Sequence, residues 1–135
     1  MLSIKRIMST NVIAVKPDTS IYEALTLLAE KKVSGMPVVN AQNHVIGILS
    51  EKDVLKILLD KDLSIHKRVE DYMTRDVISF TEEDNATDIC KFFIRSNIRR
   101  VPIVRNKELI GIVSRRDIVE LILEAKSKIS DFRFA

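Results

Sequence analysis

The stretch GILSEKD at residues 47–53 returns as GIVSRRD at residues 111–117, and each copy follows a short apolar run that contains a proline. A Ser three residues ahead of an Asp, at the end of a β-like run, is what a helix start requires. The Ser oxygen accepts from free N–H groups of the first turn, and the acid sits at the positive end of the helix dipole. Such caps open many helices that bind nothing, so a single copy marks only a helix boundary. Its repetition points to a duplicated unit.

Working outward, a shift of 65 residues carries Met8 to Met73, Val12 to Val77, Pro37 to Pro102 and Val39 to Val104. After one deletion in a turn the shift becomes 64, carrying Gly47 to Gly111, Ser50 to Ser114 and Asp53 to Asp117. The local patterns repeat with the residues. VIAV (12–15) and VISF (77–80) read as short strands. Ser20 with Glu23 reads as a capping box ahead of Ile21, Ala24, Leu25 and Leu28, which have helical spacing. In the second copy that face becomes Ala86, Ile89, Cys90 and Phe93, so Cys90 reads as a small core hydrophobe rather than a reactive thiol. MPVV and VPIV read as the next strands, with their prolines at strand starts where no ladder N–H is lost. Polar turns follow, then VIGIL and LIGIV, each ending at a Ser-x-x-Asp cap. The expected fold is α+β, two β-α-β-β-α repeats about a pseudo-twofold axis, over 7–60 and 72–126 with a linker at 61–71 and a tail at 127–135.

The closing helices carry a further signal. In VLKILL (54–59) and IVELIL (118–123) apolar residues occupy more than one helical face. A homodimer covering Leu55, Leu58, Leu121 and Leu123 or their neighbours is the expected solution, and a helix wrapped within its own domain is the alternative.

The totals agree with a single soluble domain. A chain of 135 residues buries about two-thirds of its unfolded surface without staples, and 46% hydrophobic with 30% charged residues is a globular balance. No apolar run approaches the roughly 20 residues of a membrane span, and the opening MLSIKRIMST is too short in apolar residues for a secretory signal. We therefore expect a cytoplasmic protein without membrane association. The single cysteine excludes an internal disulfide and lacks companions for a metal site. His44 and His66 fall in a turn and a linker and read as surface residues. A net charge of +3 permits an anionic partner, but sparse aromatics and the lack of a dense basic stripe make nucleic acid an unexpected one. With three glycines, Gly35, Gly47 and Gly111, the chain has neither a P-loop nor a G-x-G-x-x-G fingerprint. It also lacks a paired His or a nucleophile with an evident base, so no enzyme is expected and no cofactor is required.

The two units resemble a tandem pair of CBS domains, the ligand-sensing modules named after cystathionine β-synthase. The resemblance runs from about Ile7 to Val119. It is carried by MPVVN and VPIVR, by the G-[IV]-[LIV]-S-x-x-D segment in both copies, and by the openings MSTNV and MTRDV. It implies two units packed sheet to sheet with two related clefts, in which many members bind adenine nucleotides. The residue chemistry agrees: a carboxylate at a helix start can accept both hydroxyls of a ribose diol, and the free N–H groups there favour phosphate.

Carried residue by residue, the resemblance implies a main cleft with Ser114 and Asp117 for ribose, the backbone around Ile112 for the base, and Arg99 and Arg100 for phosphate. Met8, Val12 and Ile13 of the other copy supply the base edge. The second cleft comprises Ser50, Asp53 and Ile48, with Met73, Val77 and Ile78 opposite. There Ser34 and Gly35 replace the two arginines, so anion binding is expected to be weaker. The implied ligand is AMP, ADP or ATP, and the implied role is reporting energy charge to a protein target. The alternatives are S-adenosylmethionine in the same cleft, against which the arginines argue, and an interaction or nucleic-acid-binding module without a nucleotide role. Arg95, Arg99, Arg100, Arg105, Arg115 and Arg116 also have a reading as solvated surface charge.

Overall fold

The computed structural model of the chain describes residues 3–61 and 66–134, with side chains described to residue 127. The elements run α1 (Ile4–Ile7), α2 (Ile21–Lys31), β1 (Gly35–Val39), β2 (Val45–Ser50), α3 (Glu51–Leu55), β3 (Phe80–Thr81), α4 (Ala86–Arg95), β4 (Arg100–Arg105), β5 (Glu108–Ser114) and α5 (Arg115–Phe134). Single 3-10 turns lie at Lys56–Leu59 and Val69–Asp71. Of the expected linker, 62–65 lie outside the described residues, and the expected tail is helical to Phe134. Among the described residues, no helix is long and apolar enough to cross a membrane.

Each repeat buries its own helix face on its own hairpin. Ile21, Ala24 and Leu28 of α2 join Met36, Val38 and Leu49 in one core, while Ala86, Ile89 and Phe93 of α4 join Val101, Ile103 and Val113 in the other. Cys90 is half-buried against the second core, and Leu25 packs at the edge of the first. Ser20 caps α2 by accepting from the Tyr22 N–H at 3.3 Å, without the reciprocal Glu23 bond of the expected capping box. The adjacent Ile21 N–H is instead served by the Lys67 carbonyl at 3.1 Å.

The repeats are interlocked by their opening segments. Ile4 of α1 is buried in the second repeat's core, and its counterpart Val69 is buried in the first. Further along, Ser9 pairs with Ile112 of β5, and Thr74 pairs with Ile48 of β2, each through two backbone bonds of 2.9 Å. The chain then crosses to its own repeat, where Val15 bridges Val38 of β1 and Phe80–Thr81 runs parallel to Ile103–Val104 of β4. Tyr72 fixes the second opening segment by donating to Asp60 Oδ2 at 2.7 Å; that bond and burial push its hydroxyl pKa up to about 12. The hairpin tips also meet: His44 pairs with Glu108, and Asn43 Nδ2 donates to the Leu109 carbonyl at 3.1 Å.

This crossing corrects two sequence expectations at once. VIAV (12–15) is not a strand, contributing one bridge at Val15, and VISF (77–80) pairs only from Phe80 onward. Pro37 and Pro102 sit within β1 and β4, not at their starts, and both are buried. The missing N–H explains both findings. Ile48, opposite Pro37, spends its N–H and C=O on Thr74, so that pair needs no proline donor. On the other side Val15 N–H donates to the Pro37 carbonyl at 3.0 Å, and the ladder begins there because Pro37 has no N–H to extend it backwards.

The closing helices differ from expectation as well. VLKILL (54–59) spans the end of α3 and a 3-10 turn, not one continuous α-helix. Leu121, expected on the dimer face, is buried with Ile118 in the second core. In the closing helices and the 3-10 turn the exposed aliphatics include Leu55, Leu58 and Leu59 on one repeat and Val119, Ile122 and Leu123 on the other. A shift of 64 relates the two triplets residue for residue.

Candidate functional site

The glycines of the repeated phrase allow the opening segment of one repeat to lie on the last strand of the other. A Cβ on Gly111 would stand 2.7 Å from Met8 Sδ and 3.1 Å from the Ser9 carbonyl. At Gly47 it would meet Met73 Sδ and the Thr74 carbonyl, both at 2.9 Å. Met8 is thereby brought beside the Ile112–Asp117 corner and Met73 beside the Ile48–Asp53 corner. Val12 and Ile13 follow as half-buried irregular chain, and among the described residues their backbone N–H and C=O groups have no hydrogen-bond partner. The Ile13 side chain packs on the first core, so only its backbone is available to a cleft. Val77 is half-buried and Ile78 exposed. The backbone of Ile112, expected to face a base, is already spent on Ser9, and that of Ile48 on Thr74.

The two Ser-x-x-Asp caps share a fold and differ in what their carboxylates have left to offer. In the second repeat Ser114 N–H donates to Asp117 Oδ2 at 2.7 Å, while Ser114 Oγ accepts from the Asp117 N–H at 3.2 Å. Asp117 is half-buried, and among the described residues its Oδ1 has no partner. In the first repeat Asp53 is 3% exposed. Its Oδ2 accepts from the Ser50 N–H and from Ser50 Oγ, both at 3.0 Å, and its Oδ1 accepts from Thr74 Oγ1 at 3.0 Å with Lys56 Nζ 3.6 Å away. One carboxylate has an oxygen to offer; the other is consumed inside the protein. Thr74 occupies the place that Ser9 holds in the second corner, where Ser9 is exposed and, among the described residues, donates nothing to Asp117.

The arginines separate in the same way. Arg105 pairs with Glu82, Arg116 with Glu120 at 3.6 Å, and Arg115 with carbonyls at the end of α4. Among the described residues the guanidinium groups of Arg95, Arg99 and Arg100 have no acceptor, and Arg100 Nε is buried without one. A buried donor left unmade costs the fold about 1–3 kcal/mol. Arg100 lies opposite Ser114 in the β4–β5 register, and the Arg99 carbonyl accepts from the Arg115 N–H at 2.9 Å. The pair therefore borders the Asp117 corner. In the first repeat Gly35 lies opposite Ser50, and the Ser34 carbonyl accepts from the Glu51 N–H at 2.9 Å, with no cation at either position.

Two surface depressions lie outside these caps. One of about 520 Å³ is lined by Phe93, Ile94, Ser96, Asn97 and Arg115, and one of about 280 Å³ by Asn40, His44, Val45, Ile46, Ser79, Val104 and Lys107. Neither includes Ser114 or Asp117. The assignment of the site rests on hydrogen-bond capacity instead, because the corner is an open edge between strand and helix.

Two interlocked repeats, each a helix on a β-hairpin that ends in a Ser-Asp helix cap and each seating its last strand against the other's opening segment, define a paired-repeat module with two related corners. Residues 4–60 and 69–124 match the CBS domain, and the chain belongs to the CBS domain family. Among its relatives, MJ1225 of Methanocaldococcus jannaschii is 36% identical over 119 residues, which are 88% of this chain and 42% of that protein. The chain thus spans less than half the length of that relative. CBSX2 from Arabidopsis thaliana, solved in complex with AMP, is 30% identical with a TM-score of 0.82, covering 93% of this chain and 99% of that one. The CBS domain pair of MJ0100, solved with 5′-methylthioadenosine and S-adenosyl-L-methionine, is 28% identical with a TM-score of 0.80, covering 91% and 97%.

Proposed function

We propose that the chain is a non-catalytic, cytoplasmic regulatory module that binds one adenine nucleotide, AMP, ADP or ATP, at the second-repeat corner and reports its level to a protein target. The observation that carries this reading is that, among the described residues, Asp117 Oδ1 and the nearby Arg99 and Arg100 guanidinium groups have no partner. A carboxylate acceptor for a ribose diol and a pair of guanidinium forks for phosphate border one strand–helix corner. Backbone groups of Val12 and Ile13, unpaired among the described residues, supply donors and acceptors for a base. The AMP complex of CBSX2 supports the ligand class. The deciding experiment is a calorimetric titration with AMP, ADP, ATP, adenosine and S-adenosylmethionine. The nucleotides are expected to bind at one site per chain and more tightly than adenosine. Preference for S-adenosylmethionine would replace phosphate by a sulfonium and overturn the role given to the arginines; salt-sensitive RNA binding indifferent to AMP would point to an interaction module.

The module is proposed to act as a homodimer. Leu58 and Leu59 are 83% and 84% exposed, and together with Leu55, Val119, Ile122 and Leu123 they form two equivalent apolar triplets. Fully covering one such side chain gains about 1.5–3 kcal/mol, so six provide on the order of 10 kcal/mol against the cost of association. Two equivalent triplets on one chain suit a self-complementary, twofold interface. Light scattering is expected to give twice the chain mass, and Leu58→Asp with Ile122→Asp is expected to give the single mass. A wild-type monomer at micromolar concentration would remove the homodimer.

A further inference from the structure

The repeats end their first helices by different devices, and the difference leads to Arg115. In the first repeat α2 closes on Lys32 in the left-handed conformation, φ 53°, with the Lys32 and Val33 N–H groups both returning to the Leu28 carbonyl. In the second, α4 ends on Ser96 in extended backbone. Its Phe93 and Ser96 carbonyls accept instead from Nη2 of Arg115, at 3.0 and 2.6 Å. The same guanidinium lies 5.9 Å from the centre of the Phe93 ring. The Arg115 N–H also donates to the Arg99 carbonyl at 2.9 Å. One residue therefore grips the start of the 96–99 connector with its side chain and the end with its backbone. Glu51, its counterpart, keeps the backbone bond to Ser34, while among the described residues its side chain has no partner.

We propose that Arg115 is a positioning residue for anion recognition: it spends its own charge on the end of α4 and thereby holds the connector that presents Arg99 and Arg100. This rests on the reading that those two arginines meet phosphate. Both bonds come from Nη2, whose two N–H donors are fixed in the guanidinium plane, whereas the freely rotating ammonium of a lysine is not pre-organised toward the two carbonyls. Ordering the connector before binding removes a cost that the ligand must otherwise meet. The first repeat, whose positions 34 and 35 carry no cation to aim, ends its helix with backbone alone.

The test compares AMP and adenosine on the wild type, Arg115→Met, Arg115→Lys, and Arg115→Met combined with Arg99→Ala and Arg100→Ala, alongside amide exchange of the free proteins. Arg115→Met is expected to weaken AMP by about tenfold while adenosine changes less than about twofold, because lost preorganisation falls on the phosphate contacts alone. Arg115→Lys should fall between. Exchange at 97–100 should quicken in Arg115→Met and that at 33–35 should not. In the triple variant Arg115→Met should add no further loss of AMP, since a residue acting through others has nothing left to act on. An unchanged AMP affinity, an equal loss for both ligands, or a full loss persisting in the triple variant would each overturn the positioning role. If Arg115→Met does not fold, Arg115→Lys carries the same comparison. Wild-type protein with no preference for AMP over adenosine overturns the phosphate reading itself, and is distinguishable because it appears before any substitution is made.

Discussion

Asp117→Ala is expected to weaken AMP by about 1.5–3 kcal/mol, roughly ten- to a hundredfold, while leaving the protein close to its original melting temperature. Asp53→Ala is expected to do the reverse. The caps are the same in sequence and nearly the same in geometry, so the difference lies in their remaining partners. Asp117 offers Oδ1 to solvent or ligand, and its loss costs the fold only a cap, about 1 kcal/mol. Asp53 is buried, bonded by Ser50 on one oxygen and by Thr74 on the other. Because Thr74 belongs to the opening segment of the other repeat, Asp53 is a clamp between the two units. Removing it leaves the half-buried Ser50 N–H without its acceptor and unties the exposed Thr74 from the first corner, a loss of about 1–3 kcal/mol by the usual cost of an unmade bond to a charged group. The Lys56 contact adds little, since its ammonium is largely exposed. Calorimetry and thermal melting must be run on both variants. Equal affinity losses with equal melting shifts would show that the two corners are not specialised in this way.

Much of the architecture was legible because it depends on local chemistry written twice. The 65- and 64-residue shifts, the Ser-x-x-Asp caps and the apolar spacing of α2 and α4 all follow from neighbours in sequence. What escaped depends on partners far along the chain. Ser9 and Ile112 are brought together only by the exchange of opening segments, and Ile4 lies in the core of the repeat to which it does not belong. The proline positions differ from expectation because β1 and β4 each have a proline facing a strand already bonded to a third segment, which the local sequence does not reveal. The roles of the arginines could not be separated by spacing, since charge runs look alike until acceptors are assigned. Arg105, Arg115 and Arg116 turned out to be occupied. The inequality of the two carboxylates also turns on Thr74 reaching Asp53 where Ser9 does not reach Asp117, a contact that neither residue's identity announces.

Replacing Arg99 and Arg100 together by alanine is expected to weaken AMP by a few kcal/mol, on the scale of one or two charge-assisted hydrogen bonds, and to leave adenosine almost unchanged. Adenosine keeps the Asp117 oxygen and the backbone of the opening segment, neither of which the substitutions touch. Fold stability should hardly fall, because among the described residues neither guanidinium has a side-chain partner to lose, and removal of the buried Arg100 Nε eliminates an unmade bond. Raising the salt should weaken AMP more than adenosine in the wild type, since Arg99 is exposed and its field is screened within about 8 Å at physiological ionic strength. In the double variant that salt dependence should largely vanish, which separates a direct phosphate contact from a general effect of net charge on the whole surface. The control is Arg95→Ala, which removes one positive charge from the exposed end of α4 and should leave both affinities in place. Equal losses of AMP and adenosine in the double variant would make the pair part of the scaffold, and an unchanged AMP affinity would move the phosphate away from this edge altogether.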